Sequence, residues 1–240
     1  MSGIRIRAVL FDLDGTLVDS APDIAVAMNR ALEEFHLRSL SLAEIAARIG
    51  KGPRVLAQRV LAVQPGLLDE AARERLIDPL LSTYLDHYSV AIGNHGRLFP
   101  HVAETLHALR TRGLKLAVVT NALQLPAQSI LERYGIVDAI DLVLGGDRVI
   151  NRKPHPEALE TACHWLGVDV DATVMVGDSN NDVAAARAAG CEIVCVPYGY
   201  NEGRSIAALD CDIVENFAFL PGWIATHESR SLALCREDTH

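Results

Sequence analysis

A chain of 240 residues, 50% hydrophobic and 22% charged, can bury a sizeable core as one domain or two and has the make-up of an ordinary globular enzyme. Its formal net charge of -9 argues against a nucleic-acid or acidic-membrane partner, so an anionic small molecule would have to be drawn in by local positive groups. The 5 cysteines form no Cys-x-x-Cys pair, no apolar window approaches a membrane span and no signal-like segment opens the chain, which together predict a reduced, cytoplasmic protein without disulfides.

The first element is Ala8-Val9-Leu10-Phe11, an apolar run that reads as a strand buried on both faces. It stops at Asp12, and Asp14 follows two residues later, so in an extended chain both carboxylates face one space. Gly15 permits a sharp turn, and Thr16 offers a hydroxyl and a backbone N–H to a ligand. Two like charges beside a buried strand end repel unless a cation or a proton relieves them. A calcium loop is ruled out because Leu17 stands where such a loop needs glycine. Two readings stay open on this stretch alone. One is an acidic turn in water; the other is a phosphoryl-transfer site with Asp12 as nucleophile, Asp14 as acid and base, and Mg²⁺ between them.

Ile24, Met28, Ala31, Leu32 and Phe35 then recur at helical spacing. Helical pattern persists from Ser41 to Tyr88, with stripes Leu42, Ile45, Ala46, Ile49 and Val55, Leu56, Val60, Leu61 split by the loop Gly50-Lys51-Gly52-Pro53. In that loop Gly52 allows backbone N–H groups to approach a ligand, and Lys51 or Arg54 could meet a carboxylate, although a plain turn with solvated cations is about as good a reading. The polar Gly93-Asn94-His95-Gly96 reads as a hinge.

Beyond Phe99-Pro100 helices and strands alternate. Leu116–Val119, Leu142–Leu144, Thr173–Val176 and Ile193–Val196 are short apolar runs separated by helical stretches from Val102, Pro126, Glu157 and Asp182. Alternation of this kind implies right-handed βαβ units and a parallel sheet covered on both faces. The expected fold is therefore α/β, a Rossmann-like parallel sheet core with an inserted α-helical cap domain. The core is expected at 1–19 and 97–240 and the cap at 20–96. The polar tail after Trp223 is expected to fray.

Ligands of open parallel sheets bind beyond the carboxyl ends of the strands. Here those ends carry Asp12, Thr120-Asn121 and Gly177-Asp178-Ser179, and Lys153-Pro154 follows the Leu142 strand. Each has a bland reading as a cap, a turn or a solvated lysine; their joint order is hard to obtain from packing. Asp12-Leu13-Asp14-Gly15-Thr16, Thr120-Asn121, Lys153-Pro154 and Gly177-Asp178-Ser179 with Asp182 resemble, in order, the four motifs of the haloacid dehalogenase-like superfamily. The runs Met175–Asp182, Arg187–Cys191 and Tyr198–Gly203 look like its phosphoglycolate phosphatase subgroup. His101 and Ala122 depart from that subgroup, which commonly has glycine and lysine there.

The resemblance implies that Asp12 attacks phosphorus and that Asp14 first gives and then takes a proton. It implies Mg²⁺ held by Asp12, the Asp14 backbone carbonyl and Asp178, with Asp182 behind them, and phosphoryl oxygens held by Thr16, Thr120, Asn121 and Lys153. Phosphoglycolate hydrolysis is the expected activity, with a sugar phosphomutase, another small-phosphate phosphatase and a binding-only descendant as alternatives. The expected partner is a small phosphorylated metabolite, handled by a monomer or a homodimer. No nucleic-acid or membrane partner is expected.

Overall fold

The computed structural model describes residues 5–67 and 69–237. Strand β1 (Ala8–Phe11) runs along the middle of a 6-stranded sheet. Its neighbours are β4 (Lys115–Val119) and β6 (Thr173–Gly177); β5 (Leu142–Leu144) lies outside β4, and β7 (Glu192–Cys195) and β8 (Asp212–Ile213) outside β6. Every pairing is parallel. Phe11 is level with Val118 on one side and Val176 on the other, so the chain leaves all three central strands at nearly the same height.

Alternation along the strands divides the apolar residues between two layers. Val9, Phe11, Val118 and Val176 join one cluster with α5 (Val102–Thr111), Phe217 and Ile224. Leu10, Ala117, Val119 and Met175 join another with α7 (Glu157–Leu166) and α8 (Asn180–Ala189). Both faces are thereby dry, as continuous apolar strands require.

The inserted helices are α1 (Ala21–Glu34), α2 (Leu42–Ala46), α3 (Pro53–Leu61) and α4 (Glu70–Ala91). α1 and α3 both pack on α4, and the buried apolar cluster runs unbroken from Phe11 through Ile24 and Met28 to Leu80 and Tyr84. Where the chain enters and leaves this block, β2 (Val18–Asp19) pairs antiparallel with β3 (Arg97–Leu98). Strands this short leave no periodicity to read, and neither β2, β3 nor β8 is visible in the sequence pattern.

Two expectations are corrected. The Gly93–Gly96 segment is tied down rather than a free hinge, because the Asp23 carboxylate accepts the N–H groups of Gly93 (2.9 Å) and His95 (2.7 Å). The tail after Trp223 continues in α9 (Leu220–Glu237), where Ile224 is fully buried and the Glu228 carboxylate accepts the N–H of Ile6. His101 occupies a left-handed backbone position, φ 66°, at the start of α5, which explains why glycine is the easier residue there.

Candidate active site

Beyond β1, β4 and β6 the strand-end residues converge. Asp12 Oδ1 accepts the N–H of Leu13 (2.8 Å) and lies 2.9 Å from Lys153 Nζ; among the described residues Oδ2 has no protein partner. Lys153 also donates to Asp182 Oδ1 at 2.6 Å. The other Asp182 oxygen accepts the Ser179 hydroxyl (2.7 Å) and the N–H groups of Ser179 and Asp178, closing a capping box at the start of α8. Asp182 thus spends both oxygens on positioning Lys153 and the Asp178 turn.

Asp178 is built into the same floor. Its Oδ1 accepts the Thr16 hydroxyl (2.9 Å), and its Oδ2 accepts the N–H of Tyr200 (2.7 Å). A Cβ on Gly199 would fall 2.2 Å from that of Asp178, and one on Gly15, at φ +87°, would fall 2.6 Å from its Oδ2. Only glycine lets the two loops close around this carboxylate. The Asp14 carboxylate accepts the Ser20 hydroxyl across the turn.

Oxygens of Asp12, Asp178 and Asp182 lie within 4.8 Å of one another, all buried, and Lys153 is the one cation paired with them among the described residues. Burial pushes Asp12 well above the usual carboxylate range, against the opposing pull of Lys153. Burial and the Asp182 charge push Asp178 up to about 7, against hydrogen bonds from Tyr200 and Thr16. For Lys153 burial acts to lower the pKa, but Asp12 and Asp182 outweigh it, and the ammonium stays charged. Burial also raises Asp14, with the Ser20 bond partly offsetting it. An all-oxygen donor set with surplus negative charge fits a hard divalent cation.

Above this floor a cavity opens between the sheet ends and the inserted helices. Its core side is Asp12, Asp14, Thr120 and Asn121; its helical side is Ile24, Ile49, Leu56, Tyr84, Leu85 and Tyr88.

Asp12, Asp14, Lys153, Asp178 and Asp182 are brought together, and Thr120 and Asn121 join them at the cavity. The Asn121 side chain is already committed, donating to the carbonyls of Gly50 (2.8 Å) and Lys153 (2.9 Å), which leaves its backbone N–H for a ligand. Three expected binding residues stand elsewhere. Thr16 is fully buried with its hydroxyl on Asp178. Lys51 is 43% exposed and turned toward Glu202, 3.9 Å away, because that carboxylate, which also pairs with Arg59 at 2.7 Å, attracts it off the cavity. Arg54 pairs with Asp78 on α4. Gly52 does line the cavity, and a Cβ there would fall 2.8 Å from the Asn121 carbonyl, so close packing on the core also requires glycine. Sequence reasoning missed Ser20, Tyr84, Tyr88 and Tyr200; only the i, i+4 pair Tyr84/Tyr88 left a signal, and a helical aromatic pair reads as core.

Residues 9–196 match the family model described as haloacid dehalogenase-like hydrolase. The chain is 41% identical over 211 residues to a phosphoglycolate phosphatase of Nitrosospira multiformis, covering 88% of this chain and 92% of that one. It is 40% identical to one of Thiobacillus denitrificans, with the same coverage. A solved structure described as a predicted phosphoglycolate phosphatase, from Haemophilus somnus, superposes with a TM-score of 0.84 at 36% identity, over 90% of this chain and 97% of that one. With its family model running from β1 through β7, over five of the six strands of the sheet, the chain belongs to the haloacid dehalogenase-like hydrolase family.

Proposed function

We propose that the protein is a Mg²⁺-dependent phosphate monoester hydrolase that works through an aspartyl-phosphate on Asp12, with 2-phosphoglycolate as its substrate. The observation that carries this reading is Asp12 itself. One oxygen is clamped by Lys153 and the Leu13 N–H, and the other, without a protein partner among the described residues, stands at the wall of the cavity. The names and coverage of the relatives support the choice of ester.

In the first half-reaction Asp12 Oδ2 attacks phosphorus, a P–O bond to Asp12 forms and the bond to the ester oxygen breaks. The leaving alkoxide takes a proton from Asp14, whose burial favours the protonated form needed for this step. In the second, water attacks the phosphorus, its proton passes to Asp14, and Asp12 is released as a carboxylate. Lys153 and the free N–H of Asn121 hold phosphoryl oxygens throughout. Asp12, Asp178 and the Asp14 carbonyl would hold Mg²⁺, which supplies charge stabilisation at the phosphoryl group.

The helical block 20–96 acts as the cap over the core at 1–19 and 97–240. Cys163, Cys191, Cys195 and Cys211 are free thiols, which supports a reducing, cytoplasmic setting. Among the described residues no helix is long and apolar enough to cross a membrane. The protein is proposed to act as a monomer or a homodimer.

The test is a panel of phosphate monoesters with purified protein and Mg²⁺. Phosphoglycolate should give the highest kcat/KM, with all turnover lost on chelation and regained with added Mg²⁺. Full activity in chelated, metal-free protein, or a clear preference for a sugar phosphate, contradicts this reading.

A further inference from the structure

The helical side of the cavity poses a problem for a substrate with a carboxylate. Its wall is apolar, and the cations once expected to meet that group, Lys51 and Arg54, are turned to Glu202 and Asp78. Two polar groups remain on that wall. Tyr84 and Tyr88 sit one turn apart on α4, only 3% and 6% exposed, with their rings stacked at 5.4 Å. Both line the cavity. Neither hydroxyl has a hydrogen-bond partner among the described residues, and the one such side-chain atom wholly closed off from space is the Tyr134 hydroxyl. The hydroxyls of Tyr84 and Tyr88 therefore reach the cavity itself. Burial and the Asp14 charge hold both phenols in the protonated form, as donors.

Resting on the substrate reading above, we propose that Tyr84 and Tyr88 are the specificity-determining residues: their hydroxyls donate side by side to the carboxylate of a short phosphorylated carboxylic acid whose phosphoryl group lies at Asp12. A carboxylate fits because it only accepts, and it has lone pairs enough for both donors. A neutral alcohol is a weaker acceptor than a carboxylate, whose two hydrogen bonds from the phenols would be charge-assisted.

Phosphoglycolate, ethyl phosphate and 2-hydroxyethyl phosphate place a carboxylate, a methyl and a hydroxymethyl group at the same position, and their kcat and KM would be compared. Tyr84→Phe with Tyr88→Phe keeps the rings and removes both hydroxyls. The double variant should lower the preference for phosphoglycolate over ethyl phosphate by roughly 10- to 100-fold, the loss appearing in KM. Each single variant should lose part of it. An unchanged ratio in the variants, or an equal loss on all three esters, overturns the proposal. So does a Lys51→Ala protein that loses the preference instead. If the wild-type protein itself hydrolyses ethyl phosphate as well as phosphoglycolate, the substrate reading has failed, and this result is recognisable before any tyrosine is changed.

Discussion

The two walls of the cavity are built on opposite principles. On the core side nearly every polar atom has an assigned partner: Lys153 bridges Asp12 and Asp182, and Thr16 and Tyr200 hold Asp178. On the helical side the surface is apolar, and its two hydroxyls have no partner among the described residues. A fully bonded constellation is rigid, as chemistry on a phosphoryl group demands. An apolar wall with few unmet donors leaves recognition to whatever small group the substrate carries. Reaction and selectivity are thus assigned to different elements, and they should fail separately.

The largest effect expected from breaking the core wall is at Lys153, which is 1% exposed between carboxylates 12% and 0% exposed. Lys153→Met leaves Asp12 and Asp182 buried without their cation. A cost of about 3–5 kcal/mol is expected, with Tm lower by roughly 10 °C and kcat down at least ~10²-fold. Thermal melts and steady-state rates check it; a variant with wild-type melting would mean that the lysine balances nothing.

The surplus charge on that wall gives a pH dependence. In the metal-free protein burial and the Asp182 charge push Asp178 from the ordinary carboxylate range up to about 7. Raising a folded-state carboxyl pKa makes the folded state hold more protons than the unfolded one between those values. Stability is then present at low pH and is lost as pH rises through about 7. A divalent ion binding the ionised form should reverse the loss. The Tm gain on adding Mg²⁺ should therefore grow from pH 5 to pH 8, reaching the equivalent of about 2.7 kcal/mol at a hundredfold excess over Kd. Asp178→Asn should flatten that growth. A gain independent of pH would separate the metal from these carboxylates.

A much smaller effect is expected where the walls meet. Glu202 joins Arg59 and Lys51 of the helical block, with the three side chains 21%, 28% and 43% exposed. Solvent screens such a pair, so Glu202→Gln should cost at most ~1 kcal/mol and shift KM by less than about fivefold. A tenfold change in KM would mean that Lys51 serves the substrate after all.

The contrast between the walls also explains what could be read in advance. The core wall was legible because apolar runs ending abruptly in Asp12, Thr120 and Asp178 have few explanations in packing, and a parallel sheet brings such ends together. The helical wall was legible only as a set of helices. Charge drew attention to Lys51 and Arg54, yet a charged side chain on a loop follows its nearest counter-charge, and Glu202 and Asp78 lie outside the cavity. Tyr84 and Tyr88 look like core residues in the sequence, and by burial they are; only the third dimension shows where their hydroxyls point. Thr16 misled for the opposite reason, since its partner Asp178 is 162 residues away. The seat of α9 is a like case: Phe217, Leu220 and Ile224 are buried at helical spacing, but Pro221 and Gly222 between them read as a break.

The central claim is that Asp12 is the nucleophile and Asp14 the proton carrier, and one rapid-mix experiment addresses both. Asp14→Asn keeps the backbone carbonyl and removes both proton transfers. On phosphoglycolate it should lose at least ~10²-fold in turnover, because an alkoxide needs the acid. A nitrophenyl ester leaves as a stable phenolate, so the variant should still release up to one phenolate per enzyme in a burst and then stall. Intact-protein mass after quenching should show one added phosphoryl group, mapping to Asp12. Asp12→Asn should show neither burst nor adduct. A burst without any adduct, an adduct elsewhere, or wild-type turnover of phosphoglycolate by Asp14→Asn would contradict the account.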